Sequence, residues 1–192
     1  MTISLFDLEH QLTFYGQYHS NKVNVICHVI CVPLIYWTAL VWSTNTGPLV
    51  DWKLPGGFTP DLAFFTTITY ALYYIFLEPV AGLLYTPILL AMDLYANRFA
   101  STYASPNLIA GAIHVFCWAA QIFTHQFAEG RSPALLDNLA QALFLAPLFV
   151  FLEVLFAFGY RPQLQKRLRD KVGKAITEFR MKKAQAQRAK SN

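Results

Sequence analysis

From Asn24 to Ser43 twenty residues run without an Asp, Glu, Lys or Arg. About 20 apolar residues in a helix are what a bilayer core of about 30 Å demands. Further apolar runs cover residues 62–77, 80–97, 107–127 and 139–159. Such runs must satisfy their backbone groups internally when lipid surrounds them, which makes each a helix. Charged residues are 14% of the 192, well under the roughly 25% of an average soluble domain. The expected fold is therefore all-α, a polytopic membrane helix bundle of four or five spans with amphipathic N- and C-terminal helices. The count turns on Glu78-Pro79, which separates two of the runs. Proline removes a backbone donor, so this point reads as a tight hairpin, a kinked pair or a re-entrant element.

Charge separates the chain into two parts. Residues 161–192 hold eleven Lys or Arg and two acids, while residues 1–160 hold four basic and nine acidic residues. We expect a membrane-embedded domain over 1–160 and a basic tail over 161–192. Leu164, Leu168, Val172, Ile176 and Phe179 recur at helical spacing in that tail, as in a helix resting on anionic lipid headgroups. The positive-inside rule places it in the cytoplasm. Because it follows a membrane domain, membrane lipid is its expected partner and nucleic acid is not. At the other end, Ile3, Leu5, Leu8, Leu12 and Tyr15 alternate with Asp7, Glu9, Gln11 and Gln17, the pattern of a surface-lying helix. No removable signal peptide is expected. Ser20-Asn21 marks a turn, and Asn24 is expected to cap the helix that follows.

Four histidines, His19, His28, His114 and His125, fall in or at the ends of apparent spans, where ionisable side chains are rare and commonly functional. The alternative is a polar seam that hydrogen-bonds helices together. His114, Trp118, Gln121 and His125 share one helical face. Eleven residues of helix nevertheless separate His114 from His125 by roughly 16–17 Å, about the combined reach of two imidazoles with their metal bonds. On an unbroken helix they should not bind one ion. Two ions, a broken helix or a supporting role for one of them would each resolve this. His19 and His28 would lie on opposite faces of a continuous helix, so a chain turn at 21–24 is needed to aim both into one pocket. Glu129, four residues after His125, is placed to orient its ring. Glu153 lies deep in the last span, and Glu78 and Asp93 are weaker candidates. Cys27 and Cys31 share a face and read as small buried hydrophobes rather than soft ligands. Nucleophile-elbow and zinc-protease motifs are missing, as are the clustered histidine boxes of membrane desaturases and hydroxylases.

Taken together, Tyr15-x-x-Tyr18-His19, Asn24-x-x-x-His28 with Pro33, Trp118-x-x-Gln121-x-x-x-His125-x-x-x-Glu129-x-x-x-Pro133-Ala134-Leu135, and Ala146-Pro147 with Glu153 resemble the 2-hydroxy fatty acid dioxygenase family. The resemblance covers most of residues 5–160. It implies a multi-pass endoplasmic reticulum membrane enzyme that uses Fe(2+), one or two ions, and molecular oxygen. The implied reaction removes one carbon from a 2-hydroxy fatty acid, as in fatty acid α-oxidation and phytosphingosine breakdown. By motif it assigns His19, His28, His114 and His125 to the metal, with His19, His28 and His125 at the catalytic centre. Asn24, Gln121, Glu129 and Glu153 would support them. A different lipid hydroxylase and a non-enzymatic lipid-binding scaffold are the competing readings.

Overall fold

A computed structural model describes residues 7–130 and 139–191, and every extended element among them is helical. Helix α1 (Leu8–Gly16) is capped by Asp7, whose carboxylate accepts the His10 amide at 3.0 Å. Helix α2 (Lys22–Ser43) is capped by Asn21, which accepts the Val23 amide at 2.9 Å. The cap expected at Asn24 is thus one turn too late. The Asn21 carbonyl already receives the Val25 amide at 3.0 Å, so the helix has started before Asn24, which lies fully buried inside it. Pro33 sits within α2 without ending it, as neighbouring helices permit in a membrane bundle.

Helices α3 (Leu62–Leu77) and α4 (Pro79–Thr102) meet at Glu78, whose backbone is extended at φ −148°, ψ 94°. The break expected at Pro79 is real, and its form is a tight hairpin. A Cβ on Gly82 would come within 2.5 Å of the α3 backbone at Tyr74 and Ile75, so only glycine lets the two helices close. Glu78 is buried. It accepts Tyr160 Oη at 2.8 Å and pairs with Arg161, which ties the hairpin to the bend between the last two helices. Helix α5 (Pro106–Thr124) runs on into a π-helical turn, His125–Glu129, closed by Gly130 in the left-handed region at φ 67°. Such turns have a wider backbone and recur at functional sites. Helices α6 (Leu139–Ala157) and α7 (Pro162–Ser191) follow.

The hub is α2, which packs against α3, α4, α5 and α6, while α7 returns to lie on α1. Leu40, Val41, Tyr74, Leu89, Leu148 and Leu152 are fully buried between these helices. The outward faces are equally apolar. Ile26 and Ile30 on α2 are 60% and 59% exposed, and Val115 and Phe116 on α5 are 69% and 70% exposed. A bundle that is apolar outside as well as inside suits hydrocarbon as its solvent.

Three segments, Lys22–Thr46, Pro79–Thr102 and Pro106–Glu129, are long and apolar enough to cross a membrane. A fourth would require α6 and α7 to act together across a 117° bend. Helix α3 has 16 residues and, at 1.5 Å per residue, is about 24 Å long. Among the described residues, length and composition therefore give three or four candidate crossings, against the four or five expected. The motif residues Pro133, Ala134 and Leu135 lie outside the described residues.

Candidate metal centre

Each histidine of the cluster is delivered by a different piece of chain. His19 comes from the connection after α1, His28 from the second turn of α2, and His125 from the start of the π-helical turn. Their ring centroids are 4.4 Å apart for His19–His28 and 4.9 Å for each of the other pairs. One ligand nitrogen from each lies within 4.8 Å of the others. All three side chains are buried.

Hydrogen bonds fix which nitrogen faces inward. His19 Nδ1 lies 2.9 Å from the Tyr15 carbonyl, and His28 Nδ1 lies 2.9 Å from the Asn24 carbonyl. A carbonyl only accepts, so both Nδ1 atoms carry the proton and both Nε2 atoms hold a bare lone pair. Stacking of His19 on Tyr15, at 3.8 Å and 13°, holds that ring still. Burial first, and then the neighbouring His28, keep the His19 imidazole well below its ordinary pKa. The neutral form is the one that metal ligation needs. His125 Nδ1 is buried with no hydrogen-bond partner among the described residues. Three neutral rings with a ligand nitrogen each inside 4.8 Å of the others, one of them with an orphaned nitrogen, are better satisfied when a cation joins them. The three residues could hold a metal ion.

The turn that aims His19 and His28 together is clamped by Glu129. Its carboxylate accepts the amides of Ser20 (3.0 Å) and Asn21 (2.9 Å), the Ser20 hydroxyl, and Asn24 Nδ2 at 3.4 Å. A carboxylate over the first turn of α2 also complements the positive end of that helix. Asn21 Nδ2 donates to the Ala128 carbonyl at 2.8 Å, and Thr124 Oγ1 donates to Asn24 Oδ1 at 2.9 Å. Glu129 therefore makes no hydrogen bond to the His125 ring it was expected to orient. It joins the end of α5 to the start of α2, and so sets the distance between His125 and the other two rings. Asn24 supports the site on two counts, through its carbonyl to His28 and its side chain within the clamp.

The structure does not bring His114 to the cluster. Trp118 Nε1 donates to His114 Nε2 at 2.9 Å, so His114 Nδ1 holds the proton and donates to Thr38 Oγ1 at 2.7 Å. The Thr38 hydroxyl passes on to the Ile35 carbonyl at 2.9 Å. Both ring nitrogens are occupied, as the helix-rise limit requires if one ion sits near His125. Glu153, half-buried on α6, is an electrostatic neighbour of Tyr15 and is not among the clustered ligands. Asp93 is buried beside Asn97, and Glu78 is committed to Arg161. Cys27, Cys31 and Cys117 are free thiols.

A cavity of about 200 Å³ opens beside the three rings. His114, Trp118 and Gln121 from α5 line it with Val32, Ile35 and Tyr36 from α2, and α1, α3 and α6 complete the wall. The lining is predominantly apolar and, among the described residues, contains neither Lys nor Arg. Sequence reasoning named Ser20 and Asn21 only as a turn, and missed Thr38 and Thr124. One regularity was available: Tyr15 and Asn24 each precede a cluster histidine by four residues, the offset at which Nδ1 meets a backbone carbonyl.

Fold and site together define a helical, membrane-type bundle that gathers three buried imidazoles beneath an apolar chamber. The family described as 2-hydroxy-palmitic acid dioxygenase Mpo1-like matches residues 5–158, and the chain belongs to it. It is 34% identical over 164 residues to the 2-hydroxy-palmitic acid dioxygenase MPO1 of Saccharomyces cerevisiae, covering 85% of this chain and 88% of that protein. No solved structure matches.

Proposed function

We propose that the protein is an iron(II)-dependent dioxygenase that shortens 2-hydroxy fatty acids by one carbon. The observation that carries this reading is the convergence of His19, His28 and His125 at one end of an apolar cavity, in a chain of this family. A neutral three-imidazole set suits ferrous iron and leaves coordination positions open. Among the described residues there is one such cluster, so we assign one ion to it and give His114 no part in ligation. When bound, the iron supplies the open positions at which a 2-hydroxy acid and oxygen meet.

The chain's own residues do the rest. The Tyr15 and Asn24 carbonyls hold the His19 and His28 rings with Nε2 inward, and the Glu129 clamp fixes their distance from His125. The apolar wall takes the acyl chain and keeps water from the head group. The proposed overall change is R–CH(OH)–COOH + O2 → R–COOH + CO2 + H2O. Breaking the C1–C2 bond releases four electrons from the substrate, enough to reduce the oxygen without an outside reductant. A fatty substrate fits a protein whose outer face is itself apolar. We place the protein in the endoplasmic reticulum membrane, with residues 1–160 as the embedded catalytic domain and the basic tail against cytoplasmic headgroups.

The test is purified protein in nanodiscs, loaded with ferrous iron and given a 2-hydroxy fatty acid carrying 13C at C1. Labelled CO2 and an acid one carbon shorter are expected, dependent on iron and oxygen. A product that retains C1 would make the protein a hydroxylase instead. Protein that binds no stoichiometric metal would make it a lipid-binding scaffold.

A further inference from the structure

Besides His125 Nδ1, two polar atoms of residues lining the cavity are buried without a partner among the described residues, Tyr15 Oη and Gln121 Nε2. Buried donors are nearly always paired, so an orphan beside a ligand cavity asks for an acceptor. Tyr15 is a poor candidate to meet an anion. The Glu153 carboxyl is its electrostatic neighbour, and an anion brought there would face it. Gln121 has no such neighbour among its recorded contacts. It is 6% exposed and lies one helical turn before His125 on α5.

Among the described residues no Lys or Arg lines the cavity, so none of them offers a cation to a carboxylate that leaves water to enter it. Desolvation of that charge is the largest polar cost of binding a 2-hydroxy acid here. An amide N–H donated to a carboxylate is a charge-assisted bond, and it does so without placing a positive charge beside the metal ligands. We propose that Gln121 Nε2 donates to the substrate carboxylate and turns the head group towards the three imidazoles. The acyl chain then follows the apolar wall of Val32, Ile35 and Phe149. Gln121 is thus a positioning residue for the head group, and the assignment rests on the reading of the protein as a 2-hydroxy acid oxygenase.

The test is binding without turnover. Wild type, Gln121→Met and Gln121→Glu are purified with the metal they carry and kept free of oxygen. Each is titrated with 2-hydroxyhexadecanoate and with hexadecane-1,2-diol, which replaces the carboxylate by a neutral alcohol. Quenching of tryptophan fluorescence reports occupancy, because Trp118 lines the cavity. Wild type is expected to prefer the acid. Gln121→Met should weaken the acid at least tenfold and leave the diol within twofold, and Gln121→Glu should weaken the acid further. Metal content should match in all three. An unchanged acid-to-diol ratio, equal weakening of both ligands, or metal lost with the side chain would each overturn the assignment. If wild type prefers the acid and the variants lose that preference, but no oxygenation occurs, the proposed reaction fails and the Gln121 contact stands.

Discussion

At the scale of single residues, histidines of similar appearance in the sequence carry different work. His19, His28 and His125 were legible as costly polar residues in apolar surroundings, and so was His114. What separates them is hydrogen bonding at the two ring nitrogens, which residue type does not encode. His19 and His28 spend Nδ1 on backbone carbonyls and keep Nε2 bare, whereas His114 spends both nitrogens on Trp118 and Thr38. Replacing His28 by Ala should therefore abolish stoichiometric metal and lower turnover at least a hundredfold with helix content intact, as metal analysis and circular dichroism would show. His114→Phe should retain the metal. Its cost is in stability, about 1 kcal/mol, because Trp118 Nε1 and the Thr38 hydroxyl lose a half-buried partner. Loss of metal from the Phe variant would return His114 to the ligand set.

At the scale of elements, most helices could be read from apolar runs, but their junctions could not. The Glu78–Pro79 break was visible as a proline after a carboxylate. That it folds into a hairpin depends on Gly82 meeting the α3 backbone, a contact between two helices that no local pattern records. Likewise the four-residue offset of His125 and Glu129 pointed to a carboxylate steering its imidazole. The π-helical turn and the approach of Ser20 and Asn21 send Glu129 to the start of α2 instead. These readings give opposite expectations for Glu129→Gln. A clamp needs its four donors answered by charge, so this variant should melt earlier and bind metal about 10–100-fold more weakly, in the range typical of lost supporting contacts. Ring-nitrogen NMR shifts of His125 should stay as in wild type if Glu129 does not touch that ring. Gly82→Ala should separate α3 from α4 at a cost of about 1–3 kcal/mol or more, measurable as a lower midpoint in detergent unfolding.

Over the whole molecule, segregation of charge announced a membrane body and a basic tail, while the docking of one terminal helix on the other was invisible. Amphipathic patterns in α1 and α7 both pointed to a lipid surface. In the structure α7 lies on α1, with Val172 pressed against Gly16 and Glu9 paired with Lys171 at 2.8 Å and Arg167 at 3.3 Å. Since α1 leads directly into His19, whatever loosens this contact reaches the metal centre through Tyr15. The Lys171 hydrogen bond first, opposed by burial and then helped by the Arg167 hydrogen bond, holds the Glu9 carboxyl below its ordinary value of 4.5. A depressed acid contributes docking that is fully present above its undocked pKa and is lost as pH falls through the docked one. Amide exchange over residues 164–176 should therefore quicken below about pH 4.5, relative to its intrinsic rate, and Glu9→Gln should show the faster exchange already at pH 7. Because Glu9 is partly exposed and its partners more so, salt should mimic the effect. Exchange in this segment that ignores pH, salt and the Gln substitution would show that Val172 and its apolar neighbours hold α7 in place alone.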